Sequence, residues 1–380
     1  MYPKPMPKGS KNTRNLMYEN ELHALKKAGR FRERRLFDPL LTDLASNDYL
    51  GLAADKSQFE KLFKLLDTYE VFSPKASMLV NGYHPLHQHF EETLCVLNGF
   101  ESGLVVGSGF LANMALVEAL VRKHDILFMD EEYHASGMMV TGLIKERVVF
   151  FRHNDSNDLR EKIAQHPAKR RIIAVEGVYS MSGELCPKEV FDIADETGAL
   201  LIVDEAHSSG VLGKNLLGVF EHYGIEVKEN HIKMGTLGKA YGSYGAYILA
   251  SREIISFMEN RAKPVIYSTA PSVLDTALAL INIKTISKKA AKYRGKIDSR
   301  LQIVEEILGL RRESLILPLP MQSNEKALKM QEQLMKKGFL VGAIRQPTVA
   351  SPILRIIPRL GVSKKSLKEV LHLISDTTLQ

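Results

Sequence analysis

Cysteine is almost absent from this 380-residue chain. Its two thiols, Cys95 and Cys186, lie in separate segments and in no metal-ligand spacing. That excludes a disulfide framework and a cysteine metal centre, and points to a reduced, intracellular setting. Long hydrophobic runs are also lacking. None approaches the ~20 apolar residues needed to span a bilayer, so no membrane association is expected. The first fifteen residues, with Pro3, Pro5 and Pro7, have no apolar core. They read as a flexible tail rather than a secretory signal, and the expected location is the cytoplasm. No internal repeat or low-complexity tract is present.

What remains is ordinary for a globular protein: 45% hydrophobic and 25% charged residues. The length suits one large domain and a smaller one. Lysine and arginine exceed the acids by a formal +7. The excess gathers at Lys4, Lys8, Lys11 and Arg14 and again from Lys26 to Arg35. No interleaving of arginine with aromatics and no nucleic-acid module accompanies it. A polyanionic substrate, or a solvated basic face, fits better than nucleic acid.

Periodicity predicts a basic helix from Leu16 to Arg34, then a Ser/Asn/Asp loop at Leu44 to Gly51. An amphipathic helix follows from Pro85 to Leu97, and its His87 and His89 have no metal-type partner. At Gly103 to Phe110 a short strand meets a glycine turn and a helix, a junction that presents free N–H groups to an anion such as phosphate. Strands at 125–129, 147–151, 171–176 and 199–203 then alternate with helices. Short apolar strands alternating with helices predict a parallel sheet buried on both faces, with ligands at the carboxyl ends of its strands. His134, Glu176, Ser180, Asp204 and His207 all fall just after such strands. A very long helix is expected from Ser272 to about Leu308. Beyond it come strands at 315–319, 340–343 and 353–357 and helices at 325–337 and 365–375, a compact α+β unit.

The chemistry centres on Lys239, set among Gly235, Thr236, Gly238, Ala240, Gly242, Ser243 and Gly245. A lysine amine attacks carbonyls only when unprotonated, and a crowded, dry setting lowers its pKa toward that state. Upstream, an apolar strand ends in Asp204-Glu-Ala-His207. An aldehyde cofactor with a pyridine ring needs an amine, an acid to hold the ring nitrogen protonated, and donors for phosphate. Asp204 can supply the acid, His207 can reach a ring oxygen, and His134 can stack.

These segments resemble the α-oxoamine synthases, fold-type-I enzymes that use pyridoxal 5′-phosphate (PLP). The matching stretches are Ser46-Asn-Asp-Tyr-Leu-Gly-Leu52, Gly107-Ser-Gly-Phe-Leu-Ala-Asn113, His134-Ala-Ser136, His153-Asn-Asp155 and Glu176-Gly-Val-Tyr-Ser-Met181. Asp204 to Gly213, Thr236-Leu-Gly-Lys-Ala240 and Tyr267-Ser-Thr269 complete the set. The chain departs from the family at Ser73-Pro-Lys-Ala-Ser-Met78, where a glycine-rich run is usual, and at Gly245-Ala246.

The resemblance implies an α/β fold-type-I PLP transferase. Residues 46–285 would form a large domain around a mostly parallel seven-stranded sheet, and 286–380 a small α+β C-terminal domain. Residues 1–45 would form a tail and helix. Lys239 and His134 would act in catalysis, Lys239 as the imine-forming amine and His134 stacked on the ring. Gly109, Phe110, Ser180, Asp204, His207 and Thr236 would hold the cofactor, with Ser268 and Thr269 from the second subunit of a homodimer. Asn47 and Arg355 would take the amino-acid carboxylate. Arg32 or Arg34, with Thr348, would lie by the acyl substrate.

The implied reaction is decarboxylative condensation of an amino acid with an acyl thioester. Within the family, the length and Arg345-Gln-Pro-Thr348 point to members joining L-alanine to pimeloyl-CoA, or the acyl-carrier-protein thioester, in biotin biosynthesis. The alternative pair is glycine with acetyl-CoA. No metal, nucleic acid or membrane is implied.

Overall fold

A computed structural model describes residues 17–378. The expected tail at 1–15 lies outside the described residues. A short strand, β1 (Thr42–Asp43), precedes the seven strands of the main sheet. These are β2 (Ser102–Val106), β3 (Ile126–Asp130), β4 (Val148–Phe151), β5 (Arg171–Glu176), β6 (Leu200–Asp204), β7 (His231–Thr236) and β8 (Ala246–Ala250). Their order is β2-β8-β7-β6-β5-β3-β4. The β8 strand runs antiparallel to both neighbours, and every other pairing in this sheet is parallel.

The near-continuous apolar strands have a direct cause: both faces of the sheet are covered. Successive side chains point to opposite faces. Val105, Ile173, Val175, Leu201 and Val203 therefore enter one core, with the helices Lys56–Leu66, Pro85–Asn98 and Val273–Lys288. Leu104, Val106, Ile172, Ala174 and Ile202 enter the other, with the helices Gly109–Leu120, Ala135–Ile144 and Arg252–Arg261.

Two strands, β7 and β8, flank the glycine-rich turn without a continuous apolar signature upstream of it. The β7 strand carries His231 and Lys233, both buried. Lys233 is accommodated because its Nζ donates to Asn98 Oδ1 at 2.8 Å and to the Leu217 carbonyl, and lies 3.7 Å from Glu205 Oε1. Glu205 in turn accepts the backbone N–H of Val219 and the hydroxyl of Ser208. This pair ties β7 to the loop that follows β6.

Two helices differ from the sequence expectation. The N-terminal helix spans only Glu19–Lys27. Gly29 adopts φ 64°, and the N–H groups of Gly29 and Arg30 close on Lys26 O and Leu25 O, ending the helix. The long helix is two, Val273–Lys288 and Ala290–Leu308, because Lys289 leaves helical geometry at φ −112°, ψ 15°. The first half packs Leu278, Leu280, Ile283 and Ile286 on the large core, whereas the end of the second buries Ile303 and Val304 in the small one. A straight rod would not serve both.

The small domain holds β9 (Leu317–Pro320), β10 (Phe339–Leu340), β11 (Gly342–Ile344) and β12 (Ile353–Ile356). A three-stranded antiparallel sheet runs β11-β12-β9. The strand expected at 340–343 is divided at Val341, since β10 pairs instead with β1, in parallel. Leu44 joins Leu317, Phe339, Leu354, Ile356 and Val370 in this core. The segment after β1 thus packs on the C-terminal unit.

Lys233→Ala leaves Glu205 buried without its cation. It should cost about 3–5 kcal/mol, read as a lower midpoint in urea unfolding followed by circular dichroism.

Candidate active site

The β5 and β6 strands end level, Glu176 pairing with Asp204, and Asp204 pairs with Met234 two residues before β7 ends at Thr236. Their following loops therefore open on one space, facing the start of the helix Gly109–Leu120. Gly109, Phe110, His134, Asp204, His207, Thr236 and Lys239 line a single cavity of about 210 Å³ there, together with Glu176. A larger cavity of about 690 Å³, at the opposite ends of β5 and β6 beside Arg171 and Leu200, contains none of the expected site residues.

Lys239 rides a tight turn in which Gly242 takes φ 57°. A β-carbon at Gly242 would stand 2.7 Å from Leu52 Cβ, so only glycine fits. Burial lowers the Lys239 pKa to about 8, against the opposing pull of Asp204 and Glu176. Its Nζ lies 2.8 Å from His207 Nε2, and His207 Nδ1 lies 2.6 Å from Tyr49 Oη. Burial and the nearby cations Lys239 and Arg355 hold the His207 pKa well below normal, so its ring is neutral. With one N–H to place, the ring donates to Tyr49 when Lys239 is an ammonium, and can donate to Lys239 when that amine is free.

Asp204 is buried. Its Oδ1 accepts the Ala206 N–H at 2.9 Å and its Oδ2 the Asn113 amide at 2.9 Å. The same amide donates to Ser136 Oγ at 2.9 Å, while Tyr133 donates to Asn113 Oδ1 at 2.7 Å. Ser136 Oγ lies 2.7 Å from His134 Nδ1, which also accepts the Ser136 N–H at 3.2 Å. His134 Nδ1 is therefore an acceptor, and burial lowers its pKa. This network orients both Asp204 and His134. Asn113, Ser136 and Tyr133 were given no role by the sequence reading. Asn113 had a signal: it sits one helical turn beyond Gly109 in an otherwise apolar helix, and a buried amide needs partners.

At the other side of the cluster, Arg355 on β12 is buried and donates from Nε to the Ser180 carbonyl at 2.8 Å and from Nη1 to Asn47 Oδ1 at 2.9 Å. The Ser180 N–H donates to Glu176 Oε2 at 3.0 Å. Ser180, expected to hold the cofactor, instead bonds Glu176 and Arg355 through its backbone and is not among the lining residues. Arg32 Nη2 donates to Thr348 Oγ1 at 2.8 Å, which joins two of the expected acyl-side residues; Arg32 and Arg34 are both exposed. Ser268 and Thr269 follow the exposed Tyr267 and do not line the pocket of their own chain. His153 lies outside it as well, bonded to Asp130 and Glu184.

The sequence pattern of aminotransferase class I and II matches residues 40–374. The chain belongs to that family. Within it, the chain is 47% identical over 362 residues to the 8-amino-7-oxononanoate synthase of Helicobacter pylori strain J99, covering 95% of this chain and 97% of that one. Among solved structures, a Francisella tularensis 8-amino-7-oxononanoate synthase superposes with a TM-score of 0.77 at 25% identity, over 90% of this chain and 98% of that one. A serine palmitoyltransferase from S. paucimobilis with bound PLP gives 0.85 at 23% identity, over 96% and 98%. The last comparison speaks for the fold alone. The α-oxoamine synthase resemblance and the fold-type-I architecture read from the motifs are both upheld. Among the described residues no helix is long and apolar enough to cross a membrane.

An amine reacts only when unprotonated, and Lys239 loses its proton near pH 8 while an ordinary lysine does so near 10.5. In cofactor-free protein, modification of Lys239 by trinitrobenzenesulfonate should rise through about pH 8 and level off above it, as followed by peptide mass spectrometry.

Proposed function

We propose that this protein condenses L-alanine with a pimeloyl thioester, carried by CoA or by acyl-carrier protein, with release of the carrier thiol and loss of carbon dioxide. The product is 8-amino-7-oxononanoate, on the route to biotin, and the cofactor is PLP. The observation that carries the chemistry is the meeting of a readily deprotonated Lys239 with a buried, doubly hydrogen-bonded Asp204 in one pocket. The choice of substrates rests on the names of the relatives.

The donor set fits PLP. Lys239 offers an amine to an aldehyde, and Asp204 an anion to a pyridinium held out of water. The helix Gly109–Leu120 starts at the pocket, which Gly109, Phe110 and Thr236 line, and a helix N-terminus suits a phosphate; the Thr236 hydroxyl, which donates to the Gly245 carbonyl at 3.0 Å, would turn to reach it. When bound, PLP supplies an electrophilic aldehyde carbon and a ring that spreads negative charge from the carbon beside the amine nitrogen.

The residues divide the work. Asp204 keeps a proton on the ring nitrogen, and Asn113 and Ala206 keep Asp204 in place. His134, fixed by Ser136, offers its ring face, and His207 offers its N–H to the ring oxygen. Arg355 and Asn47, already bonded to each other, take the alanine carboxylate and so set the direction of its α-hydrogen. Lys239 Nζ removes that proton and later returns one. Arg32 and Thr348 bound the approach of the acyl chain. A second copy of the chain is proposed to contribute Ser268 and Thr269 beside the phosphate, making the active form a homodimer.

Purified protein given alanine or glycine, each with pimeloyl-CoA or acetyl-CoA, should turn over alanine with pimeloyl-CoA fastest. Preference for glycine with acetyl-CoA would overturn the substrate assignment. Lys239→Ala should lower turnover by at least about 10³-fold and remove the visible absorbance of the lysine-bound cofactor. Retained turnover would remove Lys239 from the mechanism.

A further inference from the structure

Glu176 has no task in the reaction just described, yet it occupies the floor of the pocket. It ends β5 directly beside Asp204 at the end of β6, and both carboxyl groups line the same cavity. The two are unequally supported. Asp204 accepts two hydrogen bonds, one on each oxygen, from Asn113 and Ala206. Glu176 accepts one, from the Ser180 N–H on Oε2, and its Oε1 is buried with no partner. A buried carboxylate without donors is far more costly than a buried carboxylic acid, and neighbouring carboxyl groups resist ionising together.

We propose that Glu176 and Asp204 carry one negative charge between them, with Glu176 holding the proton and presenting Oε1–H as a hydrogen-bond donor to an oxygen acceptor of the bound ligand. This rests on reading the pocket as a cofactor and amino-acid site. It adds a residue that contacts the ligand and that also limits the charge of the site.

The surroundings favour that division. Burial and Asp204 raise the Glu176 pKa well above the carboxylate range, and Asp130 at the end of β3 adds to this, while Lys239 opposes it. Tyr49, Tyr133 and Tyr179 face Glu176 and are themselves held neutral by burial. Arg355 reaches Glu176 only through Ser180, whose carbonyl accepts from the guanidinium and whose N–H donates to Oε2. A full carboxylate charge on Glu176 favours the ammonium form of Lys239. A neutral acid removes that pull, leaves Asp204 to a pyridinium and favours the free amine. A donor at Oε1 also favours ligands that place a lone-pair oxygen against the floor, and disfavours those that place an N–H there.

Infrared difference spectroscopy reads the proton directly. Wild type minus Glu176→Gln, as apoprotein at pH 7, should show the carbonyl stretch of one protonated carboxylic acid, displaced in heavy water. Adding PLP and alanine should lower its frequency as the acid gains an acceptor. Loss of a carboxylate band instead of an acid band would overturn the proposal.

Because Gln mimics the neutral acid, the pH midpoint of Lys239 modification should stay the same in Glu176→Gln. A fall in that midpoint would mean that Glu176 had been charged. PLP affinity should hold within about threefold in Gln and weaken by about tenfold in Glu176→Ala. Equal affinity of the Ala variant would refute a ligand contact. If Glu176→Gln fails to melt cooperatively, Asp204→Asn gives the second arm, with the acid band ionising at lower pH than in wild type. An unchanged titration would refute a shared charge. Failure to bind PLP or to turn over alanine would undo the functional reading, while the apoprotein spectrum would still report where the proton sits.

Discussion

The pocket depends on a register. In a parallel sheet the pairing of neighbouring strands decides which side chains stand side by side, and a one-residue slip would turn each to the opposite face. Glu176 and Asp204 end β5 and β6 side by side, next to Met234 near the end of β7. That alignment brings the loop bearing His207 and the turn bearing Lys239 to the same opening. The apolar filling on both faces of the strands enforces the register, since a slip would exchange the residues of two distinct cores. The functional groups themselves contribute little to holding the sheet together. They occupy the places where it runs out.

Much of this was legible in the sequence, for reasons tied to particular residues. Strands such as Ile172–Val175 and Leu201–Val203 announce themselves because both faces are dry, and the polar residues that end them mark where solvent and ligand begin. Lys239 stood out because few settings other than a tight turn gather so many small residues. The β7 strand was hidden by Lys233, buried against Glu205, Asn98 and the Leu217 carbonyl, and by His231, buried against Asp195, partners distant in sequence. The break at Lys289 was hidden for the same reason, since it reflects two cores and no local breaker. Asn47 and Arg355 entered through resemblance alone, because nothing local joins residues so far apart, and the hydrogen bond between them is a tertiary fact.

The site is also organised around neutrality. His207 and His134 are both held uncharged by burial, and Tyr49 is pushed up to about 12. Hydrogen bonds therefore run between neutral rings and hydroxyls, leaving Asp204 in the cavity wall and Arg355 behind Ser180 as fixed charges. Such an arrangement reorganises little when a ligand brings its own charges, which is how a preorganised site differs from bulk water.

The pairing of β1 with β10 has a consequence for how the protein comes into being. Thr42 and Asp43 meet Phe339 and Leu340, Leu44 is buried with them, and Arg32 reaches Thr348. On the ribosome this early segment emerges without its partner, and it must wait while the entire large domain is made. The small unit is thus a late event, stitched from both ends of the chain, and its closing contacts join residues more than 290 positions apart. Only when the last quarter of the polypeptide is released do Asn47 and Arg355 find each other. The hydrogen bond that joins the two ends of the chain beside Ser180 is completed at the end of synthesis.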